Sequence, residues 1–233
     1  MKKFAFASAV AVGLLAQAAS AQSFNVDLDT APGAPGAGAP ATTFGAAAGQ
    51  AGFWNTLTGS TATAITLSDL LGNASGVMLT RSSAAGGNFS SANANANGDF
   101  ALLMEDGQDL SASTGPVSYV FSGLAPGSYD VYTYANAPDF GPDMTIIATT
   151  NPTGSANPQT IGGNYPAPDT FGVGITHALH SVTVGSDGLL TITADGDVGS
   201  FGTVNGFQLT LIPAPGSLAL LGLSALAFRR RRA

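Results

Sequence analysis

The chain has 233 residues, no cysteine, and 7 Lys and Arg against 14 Asp and Glu, a formal net charge of −7. Six of the seven bases lie at the two ends (Lys2, Lys3, Arg229, Arg230, Arg231 and Arg232), so the stretch between them sets one base, Arg81, against fourteen acids, a net −13. Such a body is repelled by nucleic acid and anionic lipid, and without thiols its stability must come from burial and backbone hydrogen bonds.

Lys2 and Lys3 form a positive start, Phe4 to Ala16 an apolar run, and Ala19-Ser20-Ala21 an A-x-A cleavage site. This is the layout of a secretory signal peptide, handled by the Sec machinery and signal peptidase, with Gln22 as the mature start. Residues 1–21 are therefore set apart, and 22–211 is expected to be one acidic domain.

Phe24 to Asp29 alternates apolar and polar as a half-buried strand does, with Phe24, Val26 and Leu28 on one face. Ala31 to Ala41 is rich in Pro and Gly and predicts a surface loop. The single tryptophan, Trp54, follows in the stretch Phe44 to Leu57. Thr61 to Leu67 and Gly76 to Thr80 are β-prone, and Ser68 is placed to cap one turn over Asp69, Leu70 and Leu71. Ser82 to Gly98 has low complexity and predicts a long loop. Asp99 to Gln108 predicts a short helix.

Strands are predicted at Val117 to Phe121, Tyr129 to Tyr134, Thr145 to Thr149, Leu179 to Val184, Leu189 to Thr193 and Gly206 to Leu211, with 150–170 as loop. Ser122 to Ser128 (SGLAPGS) suits an antiparallel connection, and Gly185 to Gly188 a four-residue hairpin loop. Many short strands and little helix predict an all-β fold, an antiparallel β-sandwich of jelly-roll type. Val182, Val184, Leu190, Ile192, Phe207, Leu209 and Leu211 are its expected core.

The last stretch, Ile212 to Ala233, starts Pro213-Ala214-Pro215-Gly216 and runs apolar from Gly216 to Phe228. It ends on four consecutive arginines, Arg229, Arg230, Arg231 and Arg232, expected to act as a membrane stop. Thirteen uncharged residues, with only Ser217 and Ser224 polar, make a helix of roughly 20 Å, shorter than a bilayer core of about 30 Å. Adjacent arginines hold such an end in the cytoplasm and snorkel to relieve the mismatch. These residues resemble the PEP-CTERM sorting signal of exopolysaccharide-producing Gram-negative bacteria. The resemblance implies recognition by an exosortase-like enzyme and removal of 212–233 near the Pro-x-Pro, with Ala214 standing where the usual motif has Glu. From residue 117 to 211, FSGLAPGSYDVYTYA, VTVGSDGLLTITADG and VNGFQL resemble the jelly-roll domains of galactose-binding-like and carbohydrate-binding modules.

Residues with chemistry are sparse. His177 and His180 are spaced H-x-x-H, which in extended chain puts them on opposite faces. The lone glutamate, Glu105, adjoins Asp106, and sequence neighbours seldom face each other across a sugar. No serine lies in a G-x-S-x-G elbow. Asp27 with Asp29, and Asp195 with Asp197, are same-side pairs able to ligate a hard cation. Jelly rolls of the resembled kind often carry a structural calcium; no cofactor is otherwise called for. Exposed aromatics suit glycan binding, and Trp54, Tyr132, Tyr134 and Tyr165 are candidates, with Tyr132, Tyr134 and Asp130 on one strand face.

Three expectations follow. The first is an exported, sorted, non-catalytic protein of the cell surface or extracellular matrix, transiently held in the inner membrane by its tail. The second is a carbohydrate-binding module for exopolysaccharide, with calcium as a structural ion. The third is a secreted hydrolase.

Overall fold

β-Branched and aromatic residues at alternate positions form strands wherever turn residues bound them. The computed structural model describes residues 22–59, 61–82, 87–111, 115–137, 144–197 and 201–213. Within them the first strands are β1 (Phe24–Asp27), β2 (Trp54–Thr56), β3 (Thr63–Ser68), β4 (Ala74–Arg81) and β5 (Asn88–Ser90). A short helix, α1 (Gly98–Met104), precedes β6 (Asp106–Ser111), β7 (Val117–Ser122), β8 (Gly127–Tyr134), β9 (Met144–Thr149) and β10 (Gln159–Gly162). The chain closes with β11 (His177–Val184), β12 (Leu190–Gly196), β13 (Phe201–Val204) and β14 (Gly206–Ile212).

The fold is an all-β sandwich. One sheet runs β11-β8-β14-β1-β2 and the other β10-β9-β12-β7-β4-β3. Apart from the parallel pair β1–β2, every named strand pair is antiparallel. A third sheet, β13-β6-β5, packs through β13 against β9 and β12. Alternate residues of both large sheets meet in one core, where Phe207 packs its ring 4.8 Å from Tyr119 and 5.8 Å from Phe121. Six of the seven expected core residues are fully buried, and Leu211 packs against them.

Several local expectations fail for physical reasons. The expected antiparallel connection at 122–128 and the expected hairpin at 185–188 are both crossings between sheets: β7 and β8 lie in different sheets, as do β11 and β12. The two crossings sit side by side, with Leu124 N–H donating to Gly188 O at 3.1 Å. β1 is not half-buried; all four of its residues are buried, because loops cover its outer side as well. The helix predicted to Gln108 stops at Met104, since Asp106 onward pairs with β5 and β13. Asp69, not Ser68, organises the next turn, its Oδ1 accepting the N–H groups of Leu71 and Asn73 at 2.9 Å each. β5 and β10 form within the expected loops 82–98 and 150–170, and β13 forms where no strand is predicted.

Pro213, exposed after β14, is the last described residue. The expected signal-cleavage residues Ala19 and Ala21 lie outside the described residues, while Gln22 is the first of them. The rest of the expected sorting motif, Ala214, Pro215 and Gly216, also lies outside, as does the expected membrane stop, Arg229, Arg230, Arg231 and Arg232. Among the described residues no helix is long and apolar enough to cross a membrane.

Candidate functional site

The aromatics expected to bind sugar lie mostly inside. Tyr132 and Tyr134 do share a face of β8 with Asp130, the outer face of the five-stranded sheet. That face is roofed by 41–52, by α1 and by 165–171. Trp54 (3 % exposed) and Tyr134 (0 %) sit under this roof with Phe100, Leu103, Met104 and Tyr165. Phe171 lies edge-on to Tyr134 at 5.4 Å, and Phe44 lies 6.1 Å from Trp54. Trp54 Nε1 donates to Phe44 O at 3.3 Å. Trp54 and Tyr134 therefore offer no platform to a polymer; their apolar area joins a second core. Tyr132 is half-buried, and Asp130 beside it accepts the Ser181 hydroxyl at 2.7 Å.

A buried polar network holds the roof down. Gln208 Oε1 accepts the Tyr134 hydroxyl at 2.5 Å and Ala48 N–H at 3.1 Å. Gln208 Nε2 donates to Asn25 Oδ1 at 2.8 Å, and Gln50 Nε2 donates to the same oxygen at 2.9 Å. The Thr210 hydroxyl donates to Gln50 Oε1 at 2.8 Å.

His177 and His180 occupy opposite faces of β11. His177 stacks near Tyr132 and Tyr134 at 5.7 and 5.8 Å, with the Thr176 hydroxyl 3.1 Å from Nδ1. Burial lowers its pKa to about 4. His180 points into the main core with neither ring nitrogen bonded, and burial lowers its pKa too. Glu105, 9 % exposed, accepts Asn93 N–H at 2.7 Å.

The two predicted acid pairs part company. Asp195 lies half-buried on β12, with Asp197 just beyond the strand. Asp27 and Asp29 instead lie within electrostatic range of Asp106, which is fully buried. Burial first, then the charges of Asp106 and Asp29, raise the Asp27 carboxyl well above its usual range. Burial chiefly, with Asp29 and Glu105 adding to it against a Thr30 N–H bond, pushes Asp106 up to about 8. Among the described residues, no three Asp, Glu, His or Cys side chains are arranged to hold a metal ion by themselves.

An open cleft lies elsewhere among the described residues, on the three-stranded sheet. Thr203 pairs with Asp109 across β13 and β6, Phe201 with Ser111, and Phe89 with Gly107 across β5 and β6. Directly paired residues share a face, so Phe201, Thr203, Asp109 and Phe89 look the same way. They line a cleft of about 240 Å³. Phe201 stands 55 % exposed at its rim. Burial raises the pKa of Asp109. The sequence marks these residues weakly, because β5 adjoins a low-complexity run and β13 is four residues long. The usable signal was an aromatic (Phe89, Phe201) in each of two polar segments.

No protein-family model matches the chain, and no curated protein matches it. Among solved structures, a carbohydrate-binding module (CBM6cm-2) from Cellvibrio mixtus lichenase 5A, in complex with cellotriose, is similar at 19 % identity and a TM-score of 0.23. The match covers 46 % of this chain and 72 % of that one.

Proposed function

We propose that the chain is an exported, non-catalytic β-sandwich that binds a glycan of the extracellular matrix through the cleft of Phe89, Asp109, Phe201 and Thr203. The carrying observation is Phe201, an exposed ring beside a carboxylate and a hydroxyl on one sheet face. Sugar rings present C–H faces to aromatic rings and hydroxyls to polar edges, which is the chemistry these side chains offer. The cleft is smaller than the about 300–1,000 Å³ typical of drug-sized sites, which suits one ring of a chain running past it. The non-catalytic part is supported by His177 and His180 lying on opposite faces of β11.

The test is retention of the full chain on immobilised exopolysaccharides, with Phe201→Ala and Asp109→Asn beside it. Retention by the parent and its loss in Phe201→Ala supports the reading. Absence of retention on every polymer leaves the plainer role of a matrix protein without a glycan site. Release of sugar by the bound chain would overturn the non-catalytic part.

Export and sorting belong to the same proposal. Sec and signal peptidase would release the chain at Gln22. An exosortase-like enzyme would act near Pro213-Ala214-Pro215-Gly216, after Arg229, Arg230, Arg231 and Arg232 have stopped transfer. Intact-mass analysis of extracellular protein tests this: ends near residues 22 and 213 support it, and full-length chain in the cytoplasm refutes it.

A further inference from the structure

A second set of side chains lies on the inward side of the three-stranded sheet. The register of β5 with β6 sets Asn88 opposite Gln108 and Ser90 opposite Asp106. All four occupy the face opposite the cleft, since they alternate with Phe89, Gly107 and Asp109. The end of β1 and the loop after it pack here. Thr30 N–H donates to Asp106 Oδ2 at 2.9 Å, and Asn88 Nδ2 donates to the carbonyl of Asp29 at 3.2 Å.

The unusual feature is what remains unbonded. Both carboxylate oxygens of Asp27, Oδ1 of Asp106, Oδ1 of Asn88 and Oε1 of Gln108 are buried with no hydrogen-bond partner. Asp27 and Asp106 are each 0 % exposed. All five orphaned atoms are oxygens, and all are acceptors in this arrangement. Each amide nitrogen is already engaged: that of Asn88 at Asp29 O, that of Gln108 at Asp109 O (3.0 Å) and Gly87 O. Unbonded buried carboxylates are costly, and a set made only of acceptors is completed by a positive ligand.

No side chain of the body can supply that charge. Arg81 is the sole Lys or Arg between residues 22 and 213, and its Nη2 is bonded to Gly59 O at 2.5 Å and Thr61 O at 2.9 Å. The surroundings are closed as a cradle would be. Gly36 has φ +78°, and a Cβ there would lie 2.8 Å from Asp106 N and 2.9 Å from Asp106 Cγ. Any larger residue would push the 31–38 loop off the carboxylate.

We propose that Asp27 and Asp106, with the amide oxygens of Asn88 and Gln108 and with Asp29 beside them, bind one hard divalent cation of the calcium class. The ion would fasten the end of β1 and the 28–38 loop to the three-stranded sheet. Calcium takes six to eight oxygens, mixes carboxylate with amide and carbonyl ligands, and tolerates irregular geometry; magnesium demands a near-ideal octahedron and keeps its waters. Two carboxylates and neutral oxygens satisfy the first better than the second. The raised pKa values of Asp27 and Asp106 agree: without a cation, protons take its place. The proposal does not depend on the glycan reading, whose cleft lies on the other side of the same sheet.

The experiment uses the full chain, stripped with a chelator and dialysed, titrated with CaCl₂ or MgCl₂ in a calorimeter and followed by thermal unfolding. A single calcium should bind and raise Tm, with magnesium much weaker. Asp27→Asn and Asp106→Asn should each weaken calcium by about tenfold or more, since loss of even an outer partner of a metal site costs that much. Ion-free Asp106→Asn should be at least as stable as the ion-free parent, which separates lost binding from lost folding. Asp195→Asn should bind as the parent does. The proposal is overturned if about 10 mM calcium, ten times the weakest extracellular class of site, leaves heat and Tm unchanged. It is equally overturned if Asp27→Asn and Asp106→Asn keep the parent's affinity, or if magnesium matches calcium.

Discussion

The roof over the five-stranded sheet should be held by hydrogen bonds more than by apolar contact, and Tyr134→Phe isolates that claim. The substitution keeps the ring that packs 5.4 Å from Phe171 and 5.8 Å from His177. It removes two hydrogen bonds, the one donated to Gln208 Oε1 and the one accepted from Ala47 N–H at 2.9 Å. Gln208 Oε1 keeps Ala48 N–H and is not orphaned. Ala47 N–H is left without a partner, and because Ala47 is only half-buried, water relieves part of that loss. A net hydrogen bond is worth about 1 kcal/mol and an orphaned buried donor about 1–3 kcal/mol. The expected loss is therefore about 2 kcal/mol, read from denaturant midpoints at unchanged slope. Amide exchange should quicken at Ala47 first, and at Ala48 and Gln50 less. A loss below about 0.5 kcal/mol, the level of an ordinary surface change, or unchanged exchange at Ala47, would refute the network as the fastening.

Three further outcomes follow from particular residues. His177 has a folded pKa near 4 against an ordinary 6.5, so the unfolded chain binds its proton first and stability falls as pH drops from about 6.5 towards 4. His177→Gln removes that component: the parent should lose about 3 kcal/mol more than the variant between pH 7 and pH 4, and a flat difference would refute it. Phe207→Ala, at the centre of the core, should cost about 3–5 kcal/mol by thermal or denaturant unfolding. Gly107→Ala should cost about 3 kcal/mol or more: its φ is +150°, and a Cβ would clash with Val204 O and lie 3.0 Å from Asn205 Cα. A Tm within a degree or two of the parent would show that β6 does not pass so close to β13.

What the sequence discloses here is local. Alternation of Tyr129, Val131 and Thr133, or of Leu190, Ile192 and Ala194, reports a strand and its buried face, and those strands form as read. A turn such as Gly185 to Gly188 reports only that the chain bends. Whether it joins neighbours in one sheet or crosses to the other depends on which partners β11 and β12 find, namely β8 on one side and β7 and β9 on the other. Burial of polar residues was illegible for the same reason. Asn25 and Asp27 have the pattern of a solvent face, and residues 50, 88, 106 and 208, far along the chain, decide otherwise. Trp54 and Tyr134 show the converse: rings read as a binding surface become core once Phe44, Phe100 and Phe171 arrive over them.

Charge placement leads to a last prediction. Arg81 is 1 % exposed, so the described surface carries acids and no Lys or Arg at all, while Asp27 and Asp106 are hidden beneath it. The field outside is therefore negative, and it falls off over a Debye length of about 30 Å at 0.01 M salt and about 8 Å at 0.15 M. A glycan reaching the Phe201 cleft under that field should be uncharged. Retention on a neutral polysaccharide should be indifferent to salt, because ring stacking and hydroxyl bonds carry it. A polyuronate should be excluded at low salt and approach only as screening rises or when a divalent cation bridges the two acids. Affinity chromatography on both matrices, with chelator present and salt stepped through this range, measures the difference. Tightest retention on the polyuronate at the lowest salt would contradict the surface described here, since no exposed base among the described residues is available to draw it in.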